Sequence, residues 1–110
     1  MGASYKRYLG ICYMKIKILQ SAKEDLKEGF HFYEFQESGI GRYFLEALSA
    51  DIESLRLFAG IHSVYFDRYY RLLSKRFPFA IYYRIQKNEV RVYAVIDCRR
   101  NPAWIRQRLQ

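Results

Sequence analysis

A chain of 110 residues is the usual size of a single domain, and its hydrophobic content of 51% excludes intrinsic disorder. Apolar runs stay below the roughly 20 residues that a membrane span needs, and no signal-peptide pattern opens the sequence, so we expect a cytoplasmic protein without a membrane segment. The net charge of +8 comes almost entirely from residues 61–110, which indicates a polyanionic partner, either nucleic acid or an acidic protein, with a merely solubilising basic surface as the alternative.

The first residues, 1–13, fit no predicted element. We interpret them as an N-terminal arm, or as sequence that precedes a natural start at Met14, and we assign residues 14–110 to a single domain. An additional strand or a partner-binding segment stays open, because the arm contains large apolar and aromatic residues. These are Tyr5, Tyr8, Leu9, Ile11 and Tyr13.

A short strand and a helix are predicted next. In residues 15–19 lysine alternates with apolar residues, which indicates a strand with one buried face. Ser21 followed by Glu24 is the pattern of a capping box, which predicts a helix that begins at Ala22. Gly39 suits the left-handed conformation that commonly ends a helix.

A second helical pattern begins near residue 40, and Gly60 closes it. The short connection between the two helices predicts an antiparallel helix hairpin. Residues 61–70 are aromatic and irregular, and residues 71–75 resemble a strand. Pro78 lacks a backbone donor, so it is expected at a turn or at the end of a strand.

Two longer strands and a terminal helix complete the chain. Alternating apolar residues predict strands over 79–86 and 89–97, joined by a hairpin turn. Asn101 followed by Pro102 predicts a capped helix that ends near residue 109. In the second of these strands we place Val90, Val92, Ala94 and Ile96 on one face.

The element order β-α-α-β-β-β-α describes an α+β fold, in which the N-terminal strand and the helix hairpin pack on a small antiparallel sheet. Cys12 and Cys98 form no disulfide framework, and with His31 and His62 they lack the spacing of metal ligands. We therefore expect free thiols, no metal and no cofactor.

Several stretches occur in a characteristic order along this layout. They are AKEDL at 22–26, YE at 33–34, GIG at 39–41 with Phe44, RLLSKRFPFAIYY at 71–83, VYAVI at 92–96 and RRNP at 99–102. As an ordered set, they make residues 14–109 resemble the RelE/ParE superfamily of bacterial toxin–antitoxin systems. The resemblance implies a small toxin, of the kind used in plasmid stabilisation, that inhibits growth unless a cognate antitoxin binds it.

Two activities occur in that superfamily. RelE-like toxins cleave mRNA in the ribosomal A site and are endoribonucleases, whereas ParE-like toxins poison DNA gyrase and need no catalytic residue. Their antitoxins wrap the toxin with a helix and an extended strand, which are known modes of peptide recognition. Because the fold is shared, the activity depends on the site.

The resemblance also implies positions for the site. Lys75 lies where RelE-like toxins place a basic residue on the central strands, and Arg99 or Arg100 lies where they place one after the last strand. RNA-cleaving relatives add a histidine or a tyrosine for proton transfer, but here the last strand ends at Asp97, which is better suited to an ion pair with Arg99 than to acting as a base. The catalytic candidates are Arg71, Lys75, Arg100 and Asp97.

Candidates for binding nucleic acid or another target are Arg71, Lys75, Arg76, Arg84, Arg99, Arg100 and Arg106. We expect the sheet face opposite the helix pair to be open, with Lys75, Arg76 and Arg84 beside it. The favoured hypothesis is a ParE-like toxin that acts on gyrase or another target without cleaving RNA. The alternatives are a ribosome-dependent mRNA interferase of RelE type and a basic nucleic-acid-binding module that is not toxic.

Overall fold

The structure, a computed structural model, describes residues 14–110, so the predicted N-terminal arm lies outside the described residues. Its α+β architecture confirms the predicted fold class. The elements, in chain order, are β1 (Lys15–Ile18), α1 (Gln20–Gln36), α2 (Ile40–Glu53), the single turn α3 (Leu55–Phe58), β2 (Ser63–Tyr65), β3 (Tyr69–Leu73), β4 (Phe79–Gln86), β5 (Glu89–Asp97) and α4 (Pro102–Leu109).

Helix α1 begins two residues earlier than the sequence predicts. No side chain caps its N-terminus, and Ser21 lies inside the helix, where its hydroxyl donates to the carbonyl oxygen of Tyr93 in β5 at 2.8 Å. The predicted capping box is therefore wrong. A bond to the sheet takes the hydroxyl that a local cap would have used.

The turn between α1 and α2 is built around a carboxylate. The side chain of Glu34 accepts hydrogen bonds from the backbone N–H groups of Gly39 and Gly41, each at 3.0 Å, and Gly39 has the predicted left-handed φ of 95°. A Cβ on Gly41 would lie 2.6 Å from the carbonyl oxygen of Phe30. The predicted antiparallel hairpin is thus confirmed, and its helices approach each other at a glycine.

The five strands form one sheet in the order β1-β5-β4-β3-β2. Strand β1 runs parallel to the first half of β5, from Lys15 opposite Glu89 to Ile18 opposite Val92, and the other pairs are antiparallel. Strand β2 was not predicted, because three residues are too few to show an alternating pattern. Strand β3 begins two residues before the predicted strand, and it ends before Lys75.

The alternation predicted for β5 is wrong in its second half. Tyr82 of β4 pairs with Ala94, but Tyr83 pairs with Val92, so Tyr93 is the extra residue of a β-bulge. Beyond the bulge the two faces exchange. Val90, Val92 and Val95 pack towards the helix pair, whereas Ala94 and Ile96 pack on the opposite face.

Helix α4 covers that opposite face, which was predicted to be open. Ile105 and Leu109 are buried against the sheet, which stabilises the fold by roughly 1.5–3 kcal/mol for each side chain. The hydroxyl of Tyr69 donates to the carbonyl oxygen of Leu109 at 3.0 Å. The predicted N-cap is confirmed, since Asn101 Oδ1 accepts from the N–H of Ala103 at 2.7 Å.

Candidate functional site

The β3–β4 loop, residues 74–78, and the β5–α4 turn, residues 98–101, lie side by side at one end of the sheet. The backbone N–H of Cys98 donates to the carbonyl oxygen of Pro78 at 2.8 Å and joins the two segments. Both segments carry exposed cations that the sequence analysis selected. We call these four residues the basic end: Lys75, Arg76, Arg99 and Arg100.

The β3–β4 loop is held against the helix hairpin by hydrogen bonds and by ring packing. The hydroxyl of Ser74 donates to the buried carboxylate of Asp51 at 2.7 Å and accepts from the N–H of Phe77 at 3.4 Å. The Phe77 ring packs against Tyr33 and Phe44, with ring centroids 4.9 Å and 5.1 Å away. Between these anchors Lys75 is exposed, and the guanidinium of the exposed Arg76 donates to the hydroxyl of Tyr43 on α2 at 3.1 Å.

Asp97 is committed to an ion pair within the same turn. Its two carboxylate oxygens accept from the Arg99 guanidinium at 2.9 Å and 2.7 Å, and one of them also accepts from the Arg99 backbone N–H at 2.8 Å. These bonds, above all those from the guanidinium, lower the pKa of Asp97 below its ordinary value. A carboxylate with a lowered pKa is a weak proton acceptor at neutral pH.

Four arginines that form none of the ion pairs among residues 14–110 instead lie over aromatic rings. The distances from guanidinium carbon to ring centroid fall within the range of a cation–π interaction. We call these four the ring-stacked arginines: Arg71 over Tyr65 at 5.2 Å, Arg84 over Tyr93 at 5.8 Å, Arg100 over Trp104 at 4.0 Å and Arg106 over Phe66 at 5.5 Å.

These arginines were predicted from the sequence as binding residues, whereas the rings beneath them were not predicted. The pairing of Arg100 with Trp104 could have been predicted from the sequence. Residues four apart lie on the same side of a helix, and this holds also for a residue just before its first turn. The other three pairs join residues whose contact depends on strand register or on the docking of α4. No local signal in the sequence indicates them.

The structure divides the predicted binding residues into two groups. Arg71 lies on the α4 side of the sheet, opposite Tyr82 in the β3–β4 register, and burial raises the pKa of the Tyr82 hydroxyl although Arg71 acts against the shift. Arg84 follows in the second half of β4, and Arg106 lies on α4. These three are therefore spread along the α4 side and do not join the basic end.

A groove of about 370 Å³ lies between α1, the second half of β5 and the start of α4. Its wall combines the exposed rings of Phe32 and Trp104 with carboxylates of α1 and the side chain of Arg100. The floor is the part of β5 beyond β1, where Asp25 accepts from the backbone N–H of Val95 at 2.9 Å. The groove is thus mainly apolar and has charged groups at its rim.

Neither histidine lies at the basic end. His31 is exposed on α1. His62 Nδ1 lies 2.6 Å from the hydroxyl of the buried Tyr83, which also accepts from the N–H of Gly60 at 2.9 Å. His62 and Tyr83 thus share a hydrogen bond, and partial burial lowers the pKa of the imidazole.

Acidification from pH 8 to pH 5 is expected to reduce the free energy of unfolding through His62. The pKa of His62 is lower in the folded state than the unfolded value of about 6.5, so the unfolded chain binds the proton first. The stabilising contribution is complete above that value and is lost as the pH falls from it through the lower pKa of the folded state. Urea unfolding across this range should show a smaller decline for His62→Gln, and identical declines would contradict the assignment.

Residues 14–110 contain neither a cluster of metal-ligand side chains nor a membrane-spanning helix. No group of three or more histidine, cysteine, aspartate or glutamate side chains in this part of the chain is placed to hold a metal ion. No helix in the same range has the length and apolar character needed to cross a bilayer.

Comparisons with known proteins agree with this geometry. Residues 16–102 match the family described as the ParE toxin of the type II toxin–antitoxin system parDE. Among solved structures, the chain is similar to one from the chromosomal ParDE toxin–antitoxin system of P. aeruginosa, with a TM-score of 0.71 and 16% identity, covering 77% of this chain and 96% of that one. At this identity the likeness shows the shared fold alone. No curated protein matches the chain.

Proposed function

This chain belongs to the ParE toxin family of type II toxin–antitoxin systems, and from that membership we propose that it inhibits growth by poisoning DNA gyrase until a cognate antitoxin binds it. The proposal includes no RNA cleavage and no catalytic residue. Its target surface comprises the exposed basic end together with Arg71, which lies on β3, the strand that leads into the β3–β4 loop. The cytoplasm, where gyrase and its DNA are found, is the proposed location.

The main observation in support of the proposal is that Asp97 is held in an ion pair with Arg99. Cleavage of RNA without a metal needs a group that removes the proton of the 2′-hydroxyl and another that protonates the leaving oxygen. Asp97, the carboxylate considered for this role, is held by Arg99 and has a lowered pKa. Tyr82 is buried and has a raised pKa. Both features support a surface that binds a target over one that transfers protons.

A ribosome-dependent mRNA interferase of RelE type is the second candidate. It is favoured by the bond between Cys98 and Pro78, which places Lys75 at the same end of the sheet as Arg99 and Arg100. Cations on two neighbouring segments would stabilise the extra charge of a phosphate during cleavage. The same arrangement of cations would serve the binding of a target equally well. An experiment must therefore distinguish RNA cleavage from gyrase poisoning.

The groove between α1 and α4 is the proposed docking site for the antitoxin. An amphipathic helix binds by placing apolar side chains in such a groove, and Phe32 and Trp104 are exposed there by 52% and 39%. The carboxylates of Asp25 and Glu28 and the guanidinium of Arg100 lie at its rim. An extended antitoxin segment could add to an edge strand of the sheet, either β1 or β2.

Growth inhibition and its target are tested together. Induction of the full chain without an antitoxin should stop growth, induce the SOS response and accumulate cleaved DNA–gyrase complexes, because a gyrase poison traps broken DNA. Primer extension on cellular mRNA should show no new ends at the ribosomal A site.

New A-site ends without trapped gyrase would overturn the gyrase proposal in favour of the RelE-type activity. Unchanged growth with soluble protein would favour the non-toxic nucleic-acid-binding module. Co-expression with the protein encoded by the neighbouring gene is the matched control. A cognate antitoxin should restore growth whether the chain traps gyrase or cleaves mRNA.

A further inference from the structure

The ring-stacked arginines differ from the other arginines in the way they are held. A ring contact fixes the guanidinium through one of its flat faces and leaves its N–H edge free for an anion. An ion pair uses that edge instead. The ion-paired arginines among residues 14–110 are Arg42 with Glu46, Arg56 with Glu53, Arg91 with Glu89, Arg99 with Asp97 and Arg108 with Asp25.

Positive charge on the α4 side of the sheet is therefore largely uncompensated. Arg68 adds an exposed guanidinium next to Arg106, and both line a shallow depression with the Phe66 ring. Asp67, on the turn between β2 and β3, is an exposed carboxylate in the same region. The carboxylates of Asp25 and Asp97 are already bonded to arginines. A polyanion would meet several guanidinium groups that form no ion pair among residues 14–110, although that of Arg71 also interacts with the Tyr82 hydroxyl.

The arrangement extends along the surface. Phe79, the first residue of β4, pairs with Asp97 at the end of β5, next to the turn that carries Arg100. Arg84 lies five residues farther along β4, which corresponds to about 16 Å along the strand. One strand of a DNA duplex advances about 3.4 Å per nucleotide, so this length matches about five phosphates. Cations spread over such a distance fit a phosphate polymer better than a single small anion.

We propose that the α4 side of this chain binds the sugar-phosphate backbone of double-stranded DNA through the ring-stacked arginines. The guanidinium edges contact phosphate oxygens, and the contact is independent of base sequence. The inference rests on the proposed function in one respect, that the DNA held by gyrase is the physiological ligand. In that role the ring-stacked arginines, including Arg100, position the toxin on the DNA, while Lys75, Arg76 and Arg99 of the basic end face the enzyme.

Binding of the purified full chain to a 20-base-pair duplex, followed by fluorescence anisotropy over a range of salt concentrations, tests the proposal. Four phosphate contacts predict that the logarithm of the association constant falls with the logarithm of the salt concentration with a slope of about −3.6. Arg84→Gln and Arg106→Gln should each weaken binding about eightfold at 0.1 M salt and reduce the slope by about one.

Arg42→Gln is the matched control, since it removes the same charge from an exposed, ion-paired arginine on α2. It should change the affinity less than about twofold, as expected for a charge that contacts no phosphate. No measurable DNA binding, equal weakening by all three substitutions, or tighter binding to single-stranded RNA would overturn the proposal. Loss of antitoxin binding with normal DNA binding in the Arg84 and Arg106 variants would also overturn it, in favour of an acidic protein.

The gyrase assay separates this proposal from the proposed function. If the chain traps gyrase but does not bind DNA alone, the DNA contact is wrong and the gyrase activity stands. If it binds DNA as predicted but traps no gyrase, the DNA contact stands and the target is wrong. Thermal unfolding of each variant excludes misfolding as the cause of a lost signal.

Discussion

Lys75→Ala and Arg100→Ala are each expected to reduce growth inhibition at least tenfold, measured as surviving colonies after induction. Hydrogen bonds to charged groups contribute about 1.5–3 kcal/mol, and about 1.4 kcal/mol corresponds to a factor of ten in binding. Both side chains are exposed, so their removal should leave the fold intact, with a small loss of stability for Arg100→Ala because its guanidinium packs on Trp104. Arg71→Ala should act in the same direction, with a small loss of stability because its guanidinium packs on Tyr65.

A control must distinguish the loss of a target-binding residue from the loss of one positive charge elsewhere on the surface. Arg42→Ala removes one exposed arginine from α2, and we expect its toxicity to stay unchanged. Each variant should also bind the antitoxin and unfold at a temperature close to that of the original chain. If the variants of Arg71, Lys75 and Arg100 all remain fully toxic, the target surface lies elsewhere on the molecule.

Asp25→Ala is expected to lower the free energy of unfolding by about 3 kcal/mol, the cost of leaving buried polar groups without a partner. The Asp25 carboxylate, 16% exposed, accepts from the Arg108 guanidinium at 2.6 Å and from the backbone N–H of Val95 at 2.9 Å. It therefore joins α1, β5 and α4. Urea unfolding monitored by circular dichroism measures the change.

Asp25→Asn is the control for this prediction. Burial raises the pKa of Asp25, which means that desolvation disfavours its charge more than Arg108 and Val95 favour it. The amide oxygen keeps an acceptor for Val95 without a buried charge, so we expect a loss of about 1 kcal/mol or less. Equal losses for the two variants would show that the charge, and not the acceptor, stabilises the three-element junction.

Local patterns were sufficient for most of the fold. The alternation in β4, the glycine at the helix hairpin and the cap at Asn101 each depend on neighbours in sequence, and each is confirmed. The wrong predictions concern residues whose structure depends on a partner that is distant in sequence. Ser21 bonds to β5 instead of capping α1, and the bulge at Tyr93 exchanges the faces of β5.

The residues of the candidate site could be predicted from the sequence, but their positions relative to one another could not. The cations were predicted from the sequence. Three of the four rings beneath the ring-stacked arginines, however, are brought there by strand register or by the docking of α4. The link between Cys98 and Pro78 joins segments about 20 residues apart through backbone atoms, which carry no signature in the side-chain pattern. An arginine over a ring and an arginine in solvent look identical in sequence.

The side chains of Ser21 and Asp25 have a consequence for the lifetime of the free protein. They bond the carbonyl of Tyr93 and the N–H of Val95, two groups on the half of β5 that β1 does not cover. Unpaired groups along a strand edge are a template on which a second chain can add and aggregate. A helix that occupies these positions blocks such growth, so free copies of the chain are protected at this part of the sheet against strand-to-strand aggregation.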